Sequence, residues 1–95
     1  MKKVTFIKLN GCPYCANAEQ AIQELKSKNP QYAAIQIDEI EEAEQPELAK
    51  PFGKYYYYVP TMFVDNKKIY EAHPGESYED CLASVQKVFE SAVSA

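Results

Sequence analysis

The chain reads as an α/β fold in the order β-α-β-α-β-β-α, a four-stranded mixed sheet flanked by helices. Three observations predict it. Short apolar runs rich in β-branched and aromatic residues, such as Val4-Thr5-Phe6-Ile7 and Met62-Phe63-Val64, alternate with stretches of helical period. A strand, a crossover helix and a second strand form a right-handed parallel unit. Two later strand-like runs joined by a short polar turn form an antiparallel hairpin, leaving helices to cover both faces of the sheet.

Taken in order, residues 3–9 are the first strand. Val4, Phe6 and Ile7 are β-formers with little alternation, as in a strand buried on both faces. Asn10-Gly11 breaks it. A helix starts at Pro13, because proline lacks an N–H that has no helical partner in a first turn. Its core stripe is Ala18, Ala21, Ile22 and Leu25, and Asn29-Pro30 stops it. Residues 32–38 read as the second strand, with Ile35 and Ile37 on one face. Six carboxylates fall between Asp38 and Glu47. Residues 39–50 read as a short solvated helix with a boundary or kink at Pro46.

Residues 55–65 are expected to form the third strand, around Pro60. Asp65-Asn66-Lys67-Lys68 is a polar turn, and residues 68–72 return as the partner strand. His73-Pro74-Gly75 ends the hairpin, with His73 structural. Ser77-Tyr78-Glu79-Asp80 resembles a capping box with Asp in place of Glu. It opens a last helix whose stripe is Cys81, Leu82, Val85, Val88, Phe89 and Ala92, and the tail beyond is expected to fray.

Ninety-five residues make one domain, 1–95, and 46% apolar residues allow a real core. The net charge of -4 argues against a nucleic-acid surface. No apolar stretch reaches membrane-spanning length. Met1-Lys2-Lys3 leads into a short strand-like run without the pattern of a signal peptide, so the expected compartment is the cytoplasm. In that reducing setting, paired cysteines are catalytic or metal-binding more often than structural. The pattern calls for nothing larger than a monomer.

The stretch around which these elements are organised is Cys12-Pro13-Tyr14-Cys15, two thiols three residues apart at a strand-to-helix junction. Half of a zinc site is the bland reading of such a pair. The remaining candidates, His73 and Cys81, lack the usual ligand spacing, there is no second pair, and no metal is expected. Cys81 reads as a small buried hydrophobe, its sharper alternative being a regulatory thiol. Tyr55-Tyr56-Tyr57-Tyr58 has two readings of equal weight: edge-strand packing with alternate rings inward, or an aromatic rim beside Pro60 that docks a protein partner.

At Cys12-Pro13-Tyr14-Cys15 the chain resembles a glutaredoxin of the thioredoxin superfamily, and the resemblance extends over nearly all of it. Asp38-Glu39 after the second strand and Val59-Pro60 before the third stand where that family has comparable residues. The resemblance implies a thioredoxin-like fold, a cis Pro60 facing the cysteines, and a Val59 backbone that pairs with a bound peptide or glutathione next to Thr61. It implies glutathione as a possible reductant and disulfide-bearing proteins or glutathione as partners. An iron–sulfur cluster shared by two subunits occurs in some glutaredoxins, and the proline after Cys12 disfavours it here. The chain also departs from the family. Leu9 stands where the family carries lysine, with Lys8 one residue further off, and Tyr70-Glu71 stand near its Gly-Gly pair. The hairpin from Pro60-Thr61 to Gly75 is more like that of a thioredoxin, so a carrier recharged by a flavoprotein reductase is the alternative.

In this reading Cys12 is the nucleophile. It precedes the first helical turn, whose unpaired N–H groups and positive end favour a thiolate. Cys15, one turn on and facing the protein, attacks the mixed disulfide and releases the reduced partner. Pro13 stiffens the turn, and Tyr14 offers an aromatic edge. Lys8, Lys50 and Lys54 are candidates to attract a glutathione carboxylate.

Overall fold

The computed structural model describes residues 1–94. Ala95, within the tail expected to fray, lies outside the described residues. Four strands, β1 (Val4–Lys8), β2 (Ile37–Glu41), β3 (Thr61–Val64) and β4 (Lys67–Glu71), form a mixed sheet in the order β2-β1-β3-β4. β1 runs parallel to β2, with Val4 opposite Ile37, and antiparallel to β3, with Ile7 opposite Thr61. The helices are α1 (Pro13–Lys28), α2 (Pro46–Ala49) and α3 (Tyr78–Val93).

β1 lies inside the sheet and is covered on both sides, as its unbroken apolar run requires. Val4 and Phe6 face a core built with Ala18, Leu25, Val85 and Phe89 of α1 and α3. Ile7 faces a smaller core with Ile40, Ala49 and Phe63, joined by the half-buried Phe52, whose ring centroid is 4.8 Å from that of Phe63. α3 begins with the expected capping box: the Asp80 N–H donates to Ser77 Oγ at 3.0 Å, and the Ser77 N–H to Asp80 Oδ2 at 3.4 Å.

Four expectations need correction. The second strand is not at residues 32–38 but at Ile37–Glu41, because Pro30–Tyr32 forms a 3-10 turn that drops Tyr32 and Ile35 into the core before pairing begins. The acidic run is therefore not a helix face. Its first carboxylates lie on an edge strand, where charged side chains reach solvent, and Asp38 and Glu39 meet Lys3 and Lys8 at 2.9 and 2.8 Å. The helix boundary expected at Pro46 is present: Pro46 opens α2 at its first position, after a turn in which the Glu41 carboxylate caps the N–H groups of Ala43 and Glu44 at 2.7 and 3.0 Å.

The third strand starts only at Thr61, so Tyr55-Tyr56-Tyr57-Tyr58 is not an alternating strand. The backbone groups a ladder would need are already bonded to side chains. Glu71 Oε2 accepts the N–H of Tyr57 at 2.7 Å and of Tyr58 at 2.8 Å, and the Tyr58 carbonyl accepts Thr61 Oγ1 at 2.6 Å. Finally, the hairpin turn narrows to Asp65-Asn66, since Lys67 already pairs with Val64. Asp65 takes a φ of 53°, a left-handed conformation that Asp tolerates better than most residues.

Candidate active site

The site forms where the chain leaves β1 and enters α1. Gly11, with φ 82°, makes a turn that a side chain would strain. The Cys12 N–H then reaches the Leu9 carbonyl at 3.3 Å, and Cys12 becomes the N-cap of α1, its own carbonyl accepting from Ala16 at 3.0 Å. Its thiol is partly exposed and lies 3.9 Å from the Val59 carbonyl oxygen. Pro13 is exposed at the first helical position.

Cys15 sits one turn further in and is buried. Burial pushes its thiol up to about 12, and hydrogen bonding to Cys12 adds to this, while the Leu9 N–H, 3.5 Å from Cys15 Sγ, works against it. Cys15 is thus a neutral thiol at physiological pH. Because its folded value is raised, the neutral form prevails at neutral pH and gives way only under strongly alkaline conditions. Iodoacetamide at neutral pH is expected to label Cys12 and spare Cys15 in the folded chain. Peptide mapping that finds both labelled to similar extents would contradict this assignment.

Around the thiols, Val59-Pro60 is a cis peptide, Pro60 is buried, and Val59 is half-buried. Thr61 is fully buried, with its hydroxyl committed to Tyr58. The Tyr14 hydroxyl accepts the Gly75 N–H at 2.9 Å, tying the first turn of α1 to the β4–α3 connection. Lys8 is differently placed. Its ammonium lies 2.7 Å from Glu19 Oε1 and 2.8 Å from Glu39 Oε1, and these partners hold its pKa above the usual lysine range. Its charge is already countered within the protein. Lys50 and Lys54 are exposed, Lys54 Nζ lying 5.5 Å from the Tyr55 ring centroid.

A cleft of about 220 Å³ opens beside Cys12 and Cys15, with Asn10 and Glu19 on its walls. Asn10 is fixed by two carboxylates. Its N–H donates to Glu41 at 2.7 Å and its side-chain amide to Glu44 at 2.8 Å. The Asn10 N–H first, and then the Glu44 and Ala43 N–H groups, hold the Glu41 carboxyl below the usual carboxylate range. The reading of the sequence missed Glu19, Glu41 and Glu71. Only Glu19 carries a signal, lying one helical turn after Cys15 and so on its face. Cys81 is fully buried: burial pushes its thiol up, and the Tyr70 hydroxyl, 3.4 Å away, works against this. The same hydroxyl donates to the buried Glu76 carboxylate at 2.5 Å.

A dithiol at a strand-to-helix junction, facing a cis-proline loop on a β2-β1-β3-β4 sheet, defines a protein of the glutaredoxin and thioredoxin class. Residues 3–90 match the family described as "Glutaredoxin-like domain (DUF836)", and the chain belongs to that glutaredoxin-like family. It is 35% identical over 72 residues to the glutaredoxin of Vibrio cholerae serotype O1, covering 72% of this chain and 79% of that one. Among solved structures, that of a malarial protein superposes with a TM-score of 0.56 at 16% identity, covering 88% of this chain and 92% of the other. Oxidized glutaredoxin 2 from Chlamydomonas reinhardtii gives 0.50 at 21% identity, covering 97% and 79%. Those two likenesses concern the fold. Family membership points to a function of thiol–disulfide oxidoreductase type. Among the described residues, no helix is long and apolar enough to cross a membrane.

Proposed function

We propose that the chain is a small dithiol–disulfide oxidoreductase that reduces protein disulfides or glutathione mixed disulfides by thiol–disulfide exchange. The observation that carries this reading is the asymmetry of the pair: Cys12 partly exposed at the helix start, Cys15 buried and protonated behind it. The Cys12 thiolate attacks one sulfur of a partner disulfide, forming a mixed disulfide and expelling the other sulfur as a thiolate that takes up a proton. Cys15 then gives up its proton and attacks Cys12 Sγ. The Cys12–Cys15 disulfide forms and the second partner sulfur leaves. Two electrons pass from the chain to the partner, and an external reductant restores the dithiol. Pro13, Tyr14, Val59, Pro60 and Thr61 shape the partner's seat, and a reducing cytoplasm suits this cycle.

Two donors fit the chemistry: glutathione, or a flavoprotein reductase acting without it. The pairing of Lys8 with Glu19 and Glu39 favours the second, because a carboxylate of glutathione would compete with two protein carboxylates for that ammonium. Reduction of a protein disulfide is to be followed through NADPH oxidation, with glutathione plus glutathione reductase in one arm and thioredoxin reductase in the other. Turnover in either arm supports the oxidoreductase reading and names its donor. A chain that is oxidised once and then recharged by neither would contradict a catalytic cycle with these donors.

A further inference from the structure

Apart from the two cysteines, Glu19 is the one ionisable side chain on the walls of the thiol cleft. It stands one helical turn after Cys15 and is partly exposed. Asn10, also on the wall, brings two more carboxylates to the rim: its N–H donates to Glu41 at 2.7 Å and its side-chain amide to Glu44 at 2.8 Å. A single ammonium stands against them. Lys8 bridges Glu19 Oε1 at 2.7 Å and Glu39 Oε1 at 2.8 Å. It neutralises the charge of one of these two carboxylates, so the group it joins stays negative, and Glu41 and Glu44 add to it. The donors on Glu41 are backbone N–H groups, which complete its hydrogen bonds without cancelling its charge.

No lysine lines the cleft among the described residues, and Lys50 and Lys54 border a separate recess with Glu47. The positive end of α1 lies at Cys12 and acts on the sulfur itself. A group carried into the cleft beside that sulfur therefore meets walls of one sign. Clefts lined in this way focus the field and raise the encounter rate of substrates of opposite charge by about ten to a thousandfold. Such charges act on partner choice and rate of encounter more than on the strength of the final contact.

We propose that Glu19, with Glu41 and Glu44 behind Asn10, is a specificity determinant that favours disulfides carrying an ammonium or guanidinium close to the sulfur and disfavours those carrying a carboxylate there. This rests on the oxidoreductase reading above and narrows its substrate class by charge. The exchange is the one already described. Cys12 takes one half of the cationic disulfide and the other half leaves as its thiol. Cys15 then displaces the first half, also as its thiol, as the Cys12–Cys15 disulfide forms and two electrons pass to the substrate.

The test is single-turnover oxidation of the pre-reduced chain, quenched and read by mass, with three small disulfides of like skeleton. Cystamine carries an ammonium on each half, hydroxyethyl disulfide is neutral, and dithiodipropionate carries a carboxylate on each half. Each rate is divided by that of the same disulfide with dithiothreitol, whose reacting thiolate has no carboxylate beside it, which removes differences among the leaving thiols. At low salt the corrected rates are expected to fall in the order cystamine, hydroxyethyl disulfide, dithiodipropionate, with roughly tenfold or more between first and last. In molar salt, where the Debye length is about 3 Å, they should converge. The double variant Glu19→Gln, Glu44→Gln keeps the size and the hydrogen-bonding oxygens of two partly or fully exposed side chains, and should cut the low-salt spread to about threefold. A substitution that altered only the reactivity of the thiols would move all three rates together. Equal corrected rates at low salt, or a spread that the double variant leaves intact, would overturn the proposal. Two peptide disulfides, with lysine or glutamate flanking the cysteine, identify the source of the charge. Discrimination that extends to the peptides assigns the preference to protein cystines, and discrimination confined to the small disulfides assigns it to small amine disulfides; either supports selection by charge. A chain oxidised by none of the three small disulfides would overturn the oxidoreductase reading itself, whereas oxidation by all three at equal corrected rates would overturn this inference alone.

Discussion

Cys12→Ser is expected to lower disulfide exchange on the order of a thousandfold or more, to the uncatalysed background. A serine hydroxyl at this position is not ionised at neutral pH and forms no mixed disulfide, whereas the sulfur it replaces is the more exposed of the pair and stands at the helix start. Cys15→Ser separates the two steps. Cys12 can still attack, but no second thiol is in place to release the partner, so the partner should remain attached to Cys12. Non-reducing electrophoresis and mass mapping of the adduct read this directly. Cys81→Ala is the control. Its thiol is fully buried and bonded to Tyr70, so exchange rates should stay within about twofold of wild type provided the variant folds. Retained activity in Cys12→Ser, or an adduct mapped to Cys81 in Cys15→Ser, would reverse the roles given to these residues.

The sequence made the thiol pair legible because everything that defines it is local. Strand, Gly11 turn, Pro13 at the first helical position and a one-turn spacing of sulfurs all lie within a dozen residues. The apolar run at Val4-Thr5-Phe6-Ile7 announced burial on both faces, and the Ser77–Asp80 box announced α3. The second strand was misplaced because Ile35 and Ile37 alternate as a strand would, yet Ile35 is buried from a turn and only Ile37 is in the ladder. Carboxylates at Asp38 and Glu39 suggested helix, since an edge strand and an exposed helix face tolerate the same side chains. The tyrosine tract has strong β propensity and still forms no strand, because Glu71 and Thr61 claim its backbone from outside. What remained hidden in both fold and site consists of side-chain-to-backbone contacts across long sequence separations. Asn10 with Glu41, Tyr14 with Gly75 and Tyr57 with Glu71 are pairs that no local pattern encodes.

Phe89→Ala is expected to be the most damaging of the core truncations, at roughly 3–5 kcal/mol. Phe89 has no solvent exposure, and its ring meets Tyr32 edge-on with centroids 5.3 Å apart. Tyr32 belongs to the 3-10 turn that returns the chain from α1 to β2, so the ring pins that connection to α3 in addition to filling the core. A domain of this size has only about 5–15 kcal/mol of stability in total, so the loss is a large fraction of it. Urea unfolding should show a lower midpoint with little change in slope, and Phe89→Leu, which leaves a smaller cavity, should recover part of the difference. The thiols lie at the opposite end of α1 from the turn that Tyr32 anchors. Exchange per folded molecule should therefore be close to wild type under conditions where Phe89→Ala remains native. A loss below about 1 kcal/mol would mean that the interior closes over the missing ring, and that the contact with Tyr32 does not hold the connection.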